Sequence, residues 1–260
     1  MKRARIAVVI ALAAVAASSP VWYPLLGEFL SQELTGFSES FRVQQVVVVG
    51  NRWIPADTVI CLADVPLAAP LLSLPVAVIE KRVMQHVWVE RASVRRMPPH
   101  TVKILITERE PVAAIRSENL LIATRDGMAV APVSDDWVWD LPLLTVPKYA
   151  VPPAGMRIHD TQARSLLHQI VLLRSVSLDA WRNLNEIHSQ DGQIVANFSE
   201  PPVELLLNAE TNDLTWSYIA RFLNHAPRYE LSRECRLDAR FPGRIIVKRH
   251  STTNRESEIG

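Results

Sequence analysis

Residues 41–51 read Phe41-Arg-Val-Gln-Gln-Val-Val-Val-Val-Gly-Asn51, and they decide the fold around them. Phe41, Val43, Val47 and Val49 alternate, Val46 and Val48 fill the other face, and Gly50-Asn51 ends the run. The pattern predicts a β-strand buried on both faces near its end. Pro55 to Ile60 reads as the first turn of a short helix with Pro55 near its first position. Leu74 to Gln85 predicts a second helix, with Pro75 in its first turn and Val76, Ile79 and Val83 on one face. Val87 to Arg95 alternates apolar and charged residues. After the turn Met97-Pro98-Pro99-His100, Thr101 to Thr107 alternates again, with Val102, Ile104 and Ile106 on one side and Lys103 on the other. This is an antiparallel hairpin with one face on a core. The order strand, helix, helix, strand, strand makes a unit of about seventy residues, small but viable alone.

Downstream, the pattern is β-rich. Asn119 to Thr124 and Met128 to Pro132 flank Asp126-Gly127, a type I′ hairpin signal. Leu141-Pro142-Leu143-Leu144-Thr145 is a short apolar stretch. Thr161 to Ser175 predicts an amphipathic helix capped by Asp160 or Thr161, with Ala163, Leu166, Leu167, Ile170 and Val171 at helical spacing. Ile187 to Asp191 and Gln193 to Phe198 flank another Asp-Gly pair, and Val203 to Leu207 is a further strand. Thr211 to His225 is a second amphipathic helix, capped by Thr211 or Asn212, with Ile219, Phe222 and Leu223 on its apolar face. Cys235 to Phe241 and Arg244 to Lys248 read as strands joined by a tight turn at Pro242-Gly243. The tail after Arg249 is polar and reads as disordered.

Upstream, Lys2, Arg3 and Arg5 precede an uncharged run from Ile6 to Leu26 that includes Leu12. As a helix it is about 31 Å long, enough to cross a hydrocarbon core. Trp22 and Tyr23 stand at its far end, where amphipathic rings favour the interface, and Glu28 and Glu33 follow. The charge asymmetry predicts a cytoplasmic N-terminus and an exported body. A cleaved signal peptide is the rival, with Ile6 to Ala13 as its apolar region and Ala14-Val15-Ala16 as the cleavage site. The continuation through Val21, Trp22, Leu25 and Leu26 favours an anchor.

Composition removes several classes of chemistry. The 260 residues carry 28 Lys plus Arg against 27 Asp plus Glu, so no chain-wide basic field points to nucleic acid. No two of the eight glycines lie within five residues of each other, so neither a dinucleotide fingerprint nor a P-loop can be written. His86, His168, His188 and His225 are scattered, with no metal-ligand spacing. Asp135-Asp136 before Trp137 and Trp139 reads as a solvated acidic loop rather than a glycosidase pair. Cys61 and Cys235 are far apart and fall in separate domains, which predicts two buried free thiols rather than a disulfide. No nucleophile, metal, cofactor or small-molecule substrate site emerges, so the chain is read as a non-enzyme.

Several of these segments together carry a resemblance. Phe41 to Asn51, the βααββ order and the exit through Thr107-Glu108-Arg109-Glu110-Pro111-Val112-Ala113 are similar to a POTRA domain. Arg125 to Val130, Leu141 to Thr145 and Leu237-Asp238-Ala239-Arg240-Phe241-Pro242-Gly243 follow in the same order as in the FtsQ/DivIB family of bacterial cell-division proteins. Val146 stands where that family's pattern has glycine. The expected fold is α+β: cytoplasmic residues 1–5, a transmembrane helix at 6–26 and a linker at 27–40. A POTRA domain then covers 41–109, a larger antiparallel-sheet domain with two amphipathic helices 110–249, and a tail 250–260.

The resemblance implies a single-pass inner-membrane protein at the division septum. Its bulk would be periplasmic, and it would scaffold FtsB/FtsL-like, FtsW/FtsI-like and FtsK-like partners. In that family the last strand receives a short segment of the FtsB partner. The carried-over positions are Arg240, Phe241, Gly243, Ile245, Ile246 and Val247. The residues agree with that role: Ile245, Ile246 and Val247 are strong β formers with no proline to blunt an edge, and Arg244, Lys248 and Arg249 flank them. Arg91, Arg95, Arg96, His100 and Lys103 give the POTRA hairpin a basic face, read first as its wetted side and second as a docking surface for an acidic segment. An exported docking module of an outer-membrane assembly or secretion system is the alternative. The strands after residue 110 are too few for the barrel that such a system needs.

Overall fold

A computed structural model describes residues 41–116, 120–134, 138–225, 235–241 and 243–249. The expected transmembrane segment, including Ile6, Leu12, Trp22, Tyr23 and Leu26, lies outside the described residues. So do the linker, the tail and Asp135, Asp136 and Trp137. Among the described residues no helix is long and apolar enough to cross a membrane. The chain divides into two compact units between Glu108 and Arg109.

The first unit has strand β1 (Gln45–Val49), helices α1 (Ala56–Ala63) and α2 (Val76–Val83), and strands β2 (Val89–Met97) and β3 (Thr101–Glu108). The strands order β1-β3-β2, with β1 parallel and β2 antiparallel to the central β3. Each short helix buries one i, i+4 pair: Val59 and Ala63 on α1, Ile79 and Val83 on α2. They meet Val94, Val102, Ile104 and Ile106 of the hairpin in one core. Each such aliphatic side chain adds about 1.5–3 kcal/mol when fully buried. β1 corrects the expectation of a strand buried on both faces: Val46, Val47 and Val48 are half-buried and Val49 is exposed. It is an edge strand of a three-stranded sheet, with little to cover its second face. Pro55 stands one position before α1, at the cap, rather than inside it.

Two contacts lock this unit. The Glu108 carboxylate accepts the backbone N–H groups of Arg52 at 2.9 Å, Trp53 at 2.9 Å and Ile54 at 2.9 Å, fastening the loop after β1 to the end of β3. At Gly50, φ is +92° and a Cβ would lie 2.1 Å from the Ile106 carbonyl oxygen. Only glycine brings the chain that close to β3.

The second unit is built on one ten-stranded sheet. Its strands are β4 (Pro111–Ile115), β5 (Leu121–Thr124), β6 (Met128–Val130), β7 (Leu143–Thr145), β8 (Met156–Arg157), β9 (Leu184–Gln190), β10 (Gln193–Phe198), β11 (Glu204–Leu207), β12 (Cys235–Asp238) and β13 (Ile246–Arg249). Their order is β13-β12-β11-β10-β9-β7-β4-β5-β6-β8. The sheet is mixed, which corrects the expected antiparallel arrangement. β4 with β7, β7 with β9 and β11 with β12 pair in parallel, because each connection crosses over through other elements.

Among the described residues three α-helices, not two, accompany the sheet: α3 (Thr161–Val176), α4 (Leu178–Arg182) and α5 (Asp213–His225). Leu166, Leu167, Ile170 and Leu173 of α3 join Val112, Leu144 and Ile187 of the sheet in the core. The caps fall on Asp160, whose carboxylate accepts from the Ala163 N–H, and on Asn212, which accepts from Thr215. Buried Gln169 ties α3 to α5, accepting from the Trp216 indole at 2.8 Å and donating to the Thr211 carbonyl. Arg174 stacks on Trp181 at 4.5 Å and pairs with Glu110, while the Trp181 indole donates to the Val112 carbonyl. Those contacts pin α3 and α4 to β4.

The two Asp-Gly turns differ. Asp191 and Gly192 both have positive φ and close the two-residue hairpin that the type I′ signal describes. At Asp126-Gly127 only Gly127 has positive φ, and β5 and β6 are joined by three residues. Both cysteines are free; Cys235 is buried, but Cys61 is exposed, which corrects the expectation of two buried thiols. Val59 and Ala63 take the inward stripe of α1, and Cys61 falls between them on the outside.

Candidate functional site

The terminal strand β13 pairs, among the described residues, with β12 alone, in the antiparallel register Asp238 to Ile246 and Leu237 to Val247. Its other edge carries the backbone polar groups that a sheet neighbour would use. Ile246 is 41% and Val247 42% exposed. The link from β12 to β13 spans residues 239–245, longer than the strand bounds expected from sequence, and contains a tight turn closed by the Arg244 N–H on the Phe241 carbonyl at 3.2 Å.

That link is held from below. The Ala239 N–H donates to the Leu206 carbonyl, and the Asn208 side chain donates to the Arg240 carbonyl at 3.1 Å. Asp238 is buried, and its two oxygens accept from Arg240 Nε at 2.8 Å and Nη2 at 2.6 Å. The Arg240 hydrogen bonds hold the Asp238 carboxyl below the usual carboxylate range, and the same fork raises the Arg240 guanidinium. Arg240 is thereby turned back toward the sheet, with its guanidinium 6.0 Å from the centre of the Phe241 ring.

Phe241 is half-exposed at the mouth of a cavity of about 420 Å³. Tyr218, Ile219 and Phe222 of α5 form one wall; Ala239, Phe241 and Ile245 form the other. Of the residues singled out from sequence, Phe241, Gly243 and Ile245 line this cavity, while Ile246 and Val247 lie on the adjoining strand. Gly243 has φ +70°. Tyr218, Phe222 and Asp238 were missed. Tyr218 and Phe222 are an i, i+4 pair on α5, the one signal that both share a face.

The basic face of the first unit is split by the pleat. Arg95 sits directly opposite Lys103, and Arg91 opposite Thr107, on the face away from the core. Arg96 is opposite buried Val102, on the other face, where its guanidinium donates to the Leu74 carbonyl at 2.6 Å. Arg96 therefore does not belong to the outer basic face. Among the described residues no group of three or more His, Cys, Asp or Glu side chains is placed to hold a metal ion.

A family model for the FtsQ-type POTRA domain matches residues 41–109. The chain is 36% identical over 143 residues to the cell division protein FtsQ of Rhodothermus marinus, covering 52% of this chain and 50% of that protein. It is 26% identical over 162 residues to FtsQ of Geotalea daltonii, covering 61% of this chain and 58% of that one. It is 26% identical over 231 residues to the cell division protein FtsQ of Myxococcus fulvus, covering 87% of this chain and 80% of that one. The chain thus spans about half the length of the Rhodothermus and Geotalea relatives.

The βααββ unit is a POTRA domain of the FtsQ type. The Myxococcus match is too long to fit within either unit. With the other matches it supports the FtsQ/DivIB family of cell-division proteins for the chain.

Proposed function

We propose that the chain is a septal assembly protein. Residues 6–26 anchor it in the inner membrane, the N-terminus stays in the cytoplasm, and the two units work in the periplasm. It performs no catalysis. It holds an FtsL/FtsB-type pair by strand addition at the outer edge of β13, and FtsW/FtsI-like and FtsK-like proteins contact the anchor and the POTRA domain. Anchoring all partners in one membrane raises their effective concentration, so individually weak contacts suffice.

The observation that carries this reading is the terminal strand: an edge unpaired among the described residues, its exposed Ile246 and Val247, and the apolar cavity beside it. An added strand would satisfy the backbone groups, and an apolar side chain of the partner would enter between Phe241 and Tyr218. Arg240 acts as a positioning residue, since its fork to Asp238 fixes where Phe241 leaves the sheet. Co-purification from native membranes with a tagged chain tests it. The full chain should bring down small single-span partners; a chain truncated before Arg240, and an Ile246→Asp chain, should not. Partners retained by a folded Ile246→Asp chain would refute the edge model.

A further inference from the structure

The second unit holds a second cleft, of about 430 Å³, walled by the β5–β6 turn, β8 and the start of α3. Arg125, Asp126, Arg157, His159, Arg164 and His168 line it. Its lining carboxylate, Asp126, and the neighbouring Glu110 and Asp160 are already committed. Asp126 accepts from Arg109 and from the Thr124 hydroxyl at 2.7 Å, with Arg157 3.9 Å away. Glu110 takes Arg174 at 2.7 Å and Arg125 at 3.2 Å. Asp160 caps α3. The lining itself thus holds three guanidiniums and two imidazoles against one carboxylate, Asp126. Arg164, His159 and His168 have no side-chain hydrogen bond or ion pair among the described residues.

Arg164 and His168 lie one turn apart on α3, so they share one stripe of the helix. Arg157 donates to the Asp126 carbonyl through one terminal nitrogen and holds only a long contact through the other. The cleft therefore presents surplus donors and surplus positive charge in a concave, partly apolar setting, with Leu167 and Val171 in its lining. Guanidinium forks in this arrangement match tetrahedral oxyanions.

We propose that this cleft binds a phosphate-bearing anion, either a lipid headgroup or a soluble phosphate ester, through Arg157, Arg164 and His168. The site stands apart from the terminal strand and does not depend on strand addition.

The test follows the ring signals of His159 and His168 by NMR on the full chain in detergent micelles. One arm adds inorganic pyrophosphate; the other adds short-chain phosphatidylglycerol, with short-chain phosphatidylcholine as the zwitterionic control. Saturable shifts of both histidines are expected, while His225 stays still. Arg164→Gln should weaken binding about tenfold, and Arg164→Lys should restore part of it. Arg164 is exposed and makes no side-chain ion pair among the described residues, so neither change threatens the fold; His168→Gln is the second variant. Shifts with pyrophosphate assign a soluble phosphate, and shifts with phosphatidylglycerol alone assign a headgroup. No saturable shift in either arm, shifts unchanged in Arg164→Gln, or equal binding of a glutamate-rich peptide would overturn the proposal.

Discussion

Asp238 and Arg240, two residues apart at the end of β12, close a two-toothed fork of 2.8 and 2.6 Å over a buried carboxylate. The fork ends the strand and sets the direction in which Phe241 departs. A buried carboxylate held this way is stabilising only while ionised. Its folded proton affinity is depressed, so its contribution is full above the unfolded carboxylate value, about 3.9, and is lost as pH falls below it. Thermal unfolding of the full chain at pH 7 and pH 3 checks this. Asp238→Asn should lower the midpoint at pH 7 and reduce the further loss on acidification. An unchanged acid dependence would refute it.

Gly50→Ala should unfold or strongly destabilise the POTRA unit. The left-handed conformation alone costs about 1–3 kcal/mol, and the added methyl meets the Ile106 carbonyl oxygen. Chemical denaturation followed by tryptophan fluorescence checks this, since Trp53 and Trp88 lie within that unit with tilted rings 5.8 Å apart. A variant as stable as the native chain would contradict the close approach of β1 to β3.

His86 makes the POTRA unit acid-sensitive above the carboxylate range. Burial lowers its proton affinity, and the opposing attraction of Glu108 is smaller. Its Nδ1 also accepts from the Trp88 N–H at 3.3 Å, which requires the neutral ring. The unfolded chain therefore binds this proton more readily. The stability is present above the unfolded value, about 6.5, and falls as pH drops through it. A His86→Gln chain should show a flatter stability profile between pH 7 and pH 5. A profile as steep as the native one would remove His86 from this role.

Arg95 and Lys103 face each other across the hairpin on its outer side, an arrangement that costs stability unless an anion relieves it. Lys103→Glu should raise the stability of the POTRA unit by about 0.2–1 kcal/mol. The same change should weaken any acidic partner that docks there. Increased stability with unaltered partner recovery would make this face the wetted side of a hairpin and nothing more.

The residues themselves show how far the sequence could be read. The alternation in 87–107 announced the hairpin because the period of two survives whatever packs on it. Asp191-Gly192 announced its turn because only such a pair accepts two positive φ values. By contrast, the parallel pairing of β4 with β7 and of β11 with β12 joins segments far apart in sequence, with no local signal. Arg96 looked like one more basic residue until the register placed it opposite Val102. At the candidate site, Ile246 and Val247 were legible as unblunted β formers near the chain's end. The cavity was not, because only the folded chain brings Tyr218 and Phe222 of α5 into one lining with Phe241.

The most direct measurement of the central claim is hydrogen exchange of the 245–248 amides in the full chain, with and without an FtsL/FtsB-type pair. Strand addition predicts that outward-facing amides of β13 become protected on binding, and that Ile246→Asp loses both protection and binding. Tight binding of the pair with exchange at 245–248 unchanged would contradict it and move the contact elsewhere on the chain.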